Sequence, residues 1–224
     1  MAETAELHYN GKTFPYPVTV GTENEPAIDI SKLRDETGLV TLDRGYKNTG
    51  ACKSAITFLD GEEGILRYRG YPIDELAAKS SFVEVAYLLI WGELPTKAQL
   101  TEFEEKIKIH TLVHEDMRKI YDGFPNNAHP MGVLTALTAA LTAFYPKSLD
   151  PDQTKEEQHL NIIRLLAKLP TLAAWSYKNS VGHPLNYPQN KLDYASNFLQ
   201  MMFGFPTGVY EPNPVVVDAL NKLL

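Results

Sequence analysis

A chain of 224 residues has room for one large domain or two small ones. Hydrophobic residues make up 44% and charged residues 22%, so a packed core is expected, while a net charge of −7 and the lack of any five-residue Lys/Arg cluster argue against nucleic acid or an anionic membrane as partner. Cys52 is the single cysteine, which excludes an intrachain disulfide and reads as the inert thiol of a cytosolic protein.

The amino terminus, Met1 to Glu6, is acidic and polar, with neither the basic and apolar regions of a signal peptide nor the Arg-rich character of a transit peptide. A cytoplasmic location is expected. Leu7-His8-Tyr9 and Lys12-Thr13-Phe14 flank Asn10-Gly11, the strongest short hairpin signal. Gly38 to Leu42 is a further candidate strand. Ser54 to Leu59 and the Ile65, Leu66, Tyr68 segment predict a second hairpin, with Asp60-Gly61 and Gly64 supplying the turn. Gly70 breaks the return strand, and Pro72 suits a first helical turn.

Beyond Pro72 the pattern is helical. Ser81 with Glu84, and Thr96 with Gln99, predict capping boxes for two helices, the first stopped by Gly92. Leu100, Phe103 and Ile107 fall on one face of the second. Pro130 opens a helix containing Leu134, Leu137, Leu141 and Phe144, and its alanines predict burial all round. The apolar-looking run from Met131 to Tyr145 is interrupted by threonines, and at about 15 residues it is shorter than the ~20 that span a bilayer. Asp150 to Glu157 reads as a solvated acidic connector. A long helix is expected from near Glu156 toward Lys178, kinked by Pro170. Leu192 to Phe203 is helical, and Asn213-Pro214 caps a last amphipathic helix ending at Leu224. The fold class is mainly α: a small β-rich domain over 1–70, then a helical domain over 71–224.

Chemistry-bearing motifs are sparse. The chain has no GxGxxG, Walker loop, GxSxG, HExxH or Cys pair. Of six histidines, only His110 and His114 have helical i, i+4 spacing, and two ligands without a third do not make a metal site. His129 precedes Pro130 and reads as a cap. Arg164 and Lys168 share a helix face; two adjacent cations suit a phosphate, and a solvated face balanced by Glu156 and Glu157 is the plainer alternative.

Taken together, Leu59-Asp60-Gly61-x-x-Gly64-x-Leu66-x-Tyr68-Arg69-Gly70-Tyr71-x-Ile73 resembles the amino-terminal signature of citrate synthases. The resemblance continues through Asp74-Glu75-Leu76-Ala77, Leu88-Leu89-Ile90-Trp91-Gly92-Glu93-Leu94-Pro95-Thr96, His129-Pro130-Met131, and Lys168-Leu169-Pro170-Thr171-Leu172-Ala173-Ala174. Asn197-Phe198-Leu199, Met201-Met202-Phe203 and Asn213-Pro214 complete it. The strand-rich first piece resembles the type II bacterial enzymes, which are hexamers of the trimer-of-dimers kind. The resemblance implies a condensation of acetyl-CoA with oxaloacetate to citrate and CoA in the tricarboxylic acid cycle. It places the Asp and His residues of that reaction downstream of the Asn213-Pro214 helix. No catalytic residue and no metal or cofactor site is therefore expected in this chain, which reads as a truncated, amino-terminal half, inactive alone and partnered by the missing carboxy-terminal half. The alternatives are a 2-methylcitrate synthase-type enzyme using propionyl-CoA and a non-catalytic helical module for regulation or assembly.

The resemblance also implies an allosteric nucleotide site, for NADH, made by His110, Thr111, Tyr145, Arg164, Lys168 and Asn190. Cations would hold phosphates, the ring a base, and the amide and hydroxyl groups a ribose. Two positions depart from the inhibited type: Ile109 replaces a cation and Thr207 a cysteine. Losing one charge-assisted phosphate contact removes about 1.5–3 kcal/mol, which speaks against NADH control.

Overall fold

The computed structural model describes residues 3–224. The chain forms two compact units, one reaching to Ala55 and the other Ile56–Leu224.

In the first unit, β1 (Thr4–Tyr9) and β2 (Lys12–Val20) pair antiparallel, and β3 (Pro26–Ile28) adds to the far side of β2. Asn10 and Gly11 have φ of 49° and 73°, the two positive values that a tight hairpin turn between right-twisted strands requires. Helix α1 (Leu33–Thr37) follows and ends on Gly38 in the left-handed conformation. The expected strand over Gly38 to Leu42 does not form; that stretch is irregular, and Leu42 is 90% exposed. Among the described residues the sheet consists of β1, β2 and β3, and 38–42 adds no strand to either edge. Among the described residues of this unit the buried hydrophobic side chains are Tyr16 and Leu33.

The second unit begins with the predicted hairpin. Strands β4 (Thr57–Asp60), β5 (Ile65–Tyr68) and β6 (Tyr71–Pro72) form an antiparallel sheet in that order, with Leu59 opposite Leu66. The Asp60 carboxylate accepts from the Glu62 and Glu63 amides at 3.0 and 2.9 Å, and Gly64 takes a φ of 68°. The hairpin that sequence reading assigned to the first domain thus falls in the helical unit. Pro72 stays extended and precedes helix α2 (Ile73–Lys79) instead of entering its first turn.

Helices α3 (Phe82–Trp91) and α4 (Lys97–Lys108) carry both expected capping boxes, and Gly92 closes α3 at φ 92°. A short α5 (Met117–Tyr121) follows. Helix α6 (Pro130–Phe144) starts with proline at N1, its first turn capped by His129 Nδ1 accepting from the Met131 amide at 3.2 Å. Contrary to expectation α6 is not buried all round. Val133, Leu137 and Leu141 make one buried stripe, and Ala136, Ala139 and Ala143 face outward. The connector expected over Asp150 to Glu157 is shorter than that. A 3-10 turn (Pro146–Leu149) precedes it, and α7 (Lys155–Ser180) already begins at Lys155 behind the Thr154–Glu157 box. Helices α8 (Tyr194–Phe203) and α9 (Pro214–Leu223) complete the unit.

Helix α7 is the spine. Its first half packs Ile163 and Ala167 among Val83 and Ala86 of α3 and Phe103 and Ile107 of α4. Its second half packs Leu172 and Trp175 among Met117, Tyr121, Val133, Leu137 and Leu141. Burying each such side chain contributes about 1.5–3 kcal/mol. Pro170 has no N–H, so the Leu166 carbonyl loses its helical donor. The Tyr194 hydroxyl takes that place at 2.8 Å, and burial pushes its phenol above the usual range. Near the end of α7, Lys178 is fully buried; its ammonium donates to the Gly204 carbonyl and lies 4.2 Å from the Phe205 ring centre. Burial lowers its pKa.

Candidate functional site

The polar residues singled out in the sequence converge where the chain leaves α4 and crosses α7. Helix α4 ends at Lys108, so His110 and His114 lie beyond it and do not share a helical face. His114 instead accepts from the Asp116 amide and stacks on Phe144 at 4.8 Å. Among the described residues no three His, Cys, Asp or Glu side chains are placed to hold a metal.

The irregular stretch 110–112 is fastened to α7 through its backbone carbonyls. Lys168 donates to the His110 carbonyl at 2.7 Å and also to the Leu112 carbonyl, while the Thr171 hydroxyl donates to the Thr111 carbonyl at 2.9 Å. Three consecutive carbonyls outside any ladder are thereby satisfied, which a segment at this depth requires. The Thr111 hydroxyl reaches the Lys108 carbonyl at 3.0 Å and Asn190 Oδ1 at 3.2 Å. Lys168 is 2% exposed, so its charge is compensated by carbonyl dipoles and by the Tyr145 ring, whose centre lies 5.4 Å away.

Arg164, one turn earlier, lies over the same ring at 4.9 Å. Its Nη1 donates to Asn161 Oδ1 at 3.2 Å, and Asn161 in turn donates to Gln153 at 2.8 Å. The Arg164 Nε is buried and finds no hydrogen-bond partner among the described residues. The His110 imidazole is held toward its neutral form, first by burial, then by the charges of Arg164 and Lys168.

Two cavities meet this cluster. One of about 760 Å³ lies between α6 and α7, lined by Tyr145, Gln153, Asn161, Arg164 and Lys168 on its polar side and by leucines opposite. The other, of about 600 Å³, lies among α3, α4, α7, α8 and α9 and is lined by Thr111, Lys108, Lys191 and Asn197 among others. His110 and Asn190 line neither cavity. The six residues form a chain of contacts, but they do not line one cavity.

The sequence model described as "Citrate synthase, C-terminal domain" matches residues 45–224. A "Citrate synthase 1" of Mycobacterium tuberculosis is 51% identical over 221 residues, 99% of this chain and 51% of that protein. The chain belongs to the citrate synthase family. Its backbone agrees: the citrate synthase from Pyrobaculum aerophilum superposes with a TM-score of 0.71 at 29% identity, covering 99% of this chain and 50% of that one. The citrate synthase from Thermotoga maritima gives 0.67 at 32% identity, covering 81% and 45%. The chain thus spans about half the length of the relatives it matches.

Within this citrate synthase-family chain, sequence reading found the cations and the ring but missed their partners. The i, i+4 spacing of Arg164 and Lys168 gives a shared face and nothing more. It cannot show that Lys168 is engaged by carbonyls 58 and 56 residues away. Asn161 and Gln153, which extend the polar wall, carry no motif. Ile109, the residue expected to replace a cation of the inhibited type, is 69% exposed.

Proposed function

We propose that this chain is the amino-terminal part of a type II citrate synthase, a cytoplasmic enzyme condensing acetyl-CoA with oxaloacetate to citrate and CoA, and a hexamer when complete. The observation that carries this reading is the 51% identity to a citrate synthase across 99% of the chain. The backbone supports it, because it superposes on the citrate synthase from Pyrobaculum aerophilum along 99% of the chain. The Asp that removes the acetyl proton and the His residues that stabilise the enolate then belong to the remainder of the enzyme, as does the choice between acetyl- and propionyl-CoA. The test is CoA thiol release by the protein with its complete reading frame. Oxaloacetate-dependent release from acetyl-CoA at a kcat/KM at least tenfold above that from propionyl-CoA is expected; the reverse preference makes it a 2-methylcitrate synthase.

A second reading concerns the α6–α7 cavity. The orphaned Arg164 Nε, the Tyr145 ring and the polar wall favour an anionic nucleotide there. The engagement of Lys168 and the exposed Ile109 oppose strong phosphate binding. Weak, salt-sensitive binding of NADH is therefore expected, lost in the Arg164→Ala variant. Binding that survives that change places the nucleotide elsewhere.

A further inference from the structure

Helix α9 is held differently from every helix that feeds the two cores. None of its residues is buried: Val215, Val216 and Leu223 are exposed, and Val217, Leu220 and Asn221 are half-buried. Below it lies the cavity of about 600 Å³, to which Pro214, Val217, Asp218 and Asn221 contribute one wall and Ser81 and Val83 another. Apolar packing therefore does little to fix its position. A polar contact crosses the gap. Asn221 Oδ1 accepts from the backbone amide of Phe82 at 2.9 Å, across 139 residues of sequence.

That amide is one of the donors a helix amino terminus leaves without an internal partner. The capping box of α3 takes care of two others: Ser81 N–H donates to Glu84 Oε2 at 2.7 Å, and Glu84 N–H donates to the Ser81 hydroxyl at 3.2 Å. Neither device reaches Phe82. The amide that begins α3 is thus satisfied by a side chain from α9, and this contact joins the first helices of the unit to the last.

We propose that Asn221 is a positioning residue: its side-chain oxygen caps α3 in trans and sets the register of α9 over the cavity. The argument needs an acceptor at this position and no other property of asparagine. An aspartate serves as well, with its charge favoured at a helix amino terminus; alanine or leucine removes the acceptor and leaves both α9 and the first turn of α3 free to open. The inference rests on the fold alone and is independent of the condensing reaction, so failure of the substrate assay leaves it standing.

The test is amide hydrogen exchange by mass spectrometry on the 224-residue chain, read in peptides covering 80–86 and 214–224, with peptides from the middle of α7 as internal control. N221A and N221L are each expected to speed exchange in both peptides about fivefold, the factor that a capping contact of ordinary strength supplies, and to leave α7 unchanged. N221D is expected to restore wild-type protection in both. Unchanged exchange in N221A overturns the proposal. So does a rise confined to 214–224, or a failure of N221D to restore, because a mere loss of packing would give those results. A uniform rise that includes α7 also overturns it, since the contact would then support the whole unit and not the register of α9.

Discussion

The two units of this chain reach order by different means. In the helical unit, Trp175, Leu137, Leu172 and Met117 are wholly buried around α7, and a second cluster packs Phe103 and Ile107 of α4 against Ile163 of the same helix. In the unit ending at Ala55, Tyr16 and Leu33 are buried, while Val20, Ile28, Val40 and Leu42 face outward. Its shape comes from ladder hydrogen bonds and from the Asn10-Gly11 turn. A three-stranded sheet with so small a core has little stability of its own. Perturbations therefore register differently: side-chain volume and charge matter in the helical unit, and backbone geometry matters in the sheet.

The largest contrast should come from alkali. Tyr121 is buried and Tyr194 half-buried in the helical unit, and the loss of water around their hydroxyls raises both phenols above their ordinary range. The fold favours the neutral phenol. The stability this provides is full below the unfolded value of about 10 and is lost as pH climbs past it, at up to about 1.4 kcal/mol per pH unit for each group. Urea midpoints of the helical unit should be equal at pH 8 and 9 and fall steeply by pH 12, where the two groups together cost up to about 5–6 kcal/mol. A flat profile over that range would mean that these phenols are not shielded from water as described.

Next in size is Trp175→Ala. It removes an indole that fills the core and donates from Nε1 to the Asn186 carbonyl at 2.7 Å. A loss of about 3–5 kcal/mol is expected, measured by urea unfolding and confined to the helical unit. Gly11→Ala probes the sheet. Gly11 has open space around the site of a Cβ, but its φ of 73° costs an L-residue about 1–2 kcal/mol. Exchange of the β1 and β2 amides should rise while α6 and α7 stay protected. Thr154→Ala should lower the stability of the helical unit by about 1 kcal/mol through loss of the α7 cap. At the bottom of the scale, Leu42→Ser should shift the midpoint by less than about 0.5 kcal/mol. A large effect there would show that Leu42 is covered in the protein's working state.

The same division marks what could be read from the amino acids. Local devices were legible: the Asn10-Gly11 hairpin, the Ser81–Glu84 and Thr96–Gln99 boxes, the Pro130 start and the Asn213 cap each need only a few neighbouring residues. Helix α5 was not legible. Five residues are too few for a 3.6-residue period to show, yet Met117 and Tyr121 are among the most buried side chains. The burial of α6 was overestimated because alanine spacing does not tell a helix contact from an exposed face. In the candidate site the residue types were readable and their partners were not. Lys168 looks like a phosphate ligand until the carbonyls of His110 and Leu112 are seen to hold it. Such partners lie far away in sequence and carry no motif.

We propose that this chain carries the family's fold and leaves the reacting groups to the rest of the enzyme. Oxaloacetate-dependent release of CoA thiol from acetyl-CoA, measured for the purified 224-residue chain beside the protein with its complete reading frame, decides the point. The expected result is release at the no-enzyme rate from the chain and turnover from the complete protein. Turnover by the 224 residues alone would contradict the claim and place a catalytic set among the residues described here.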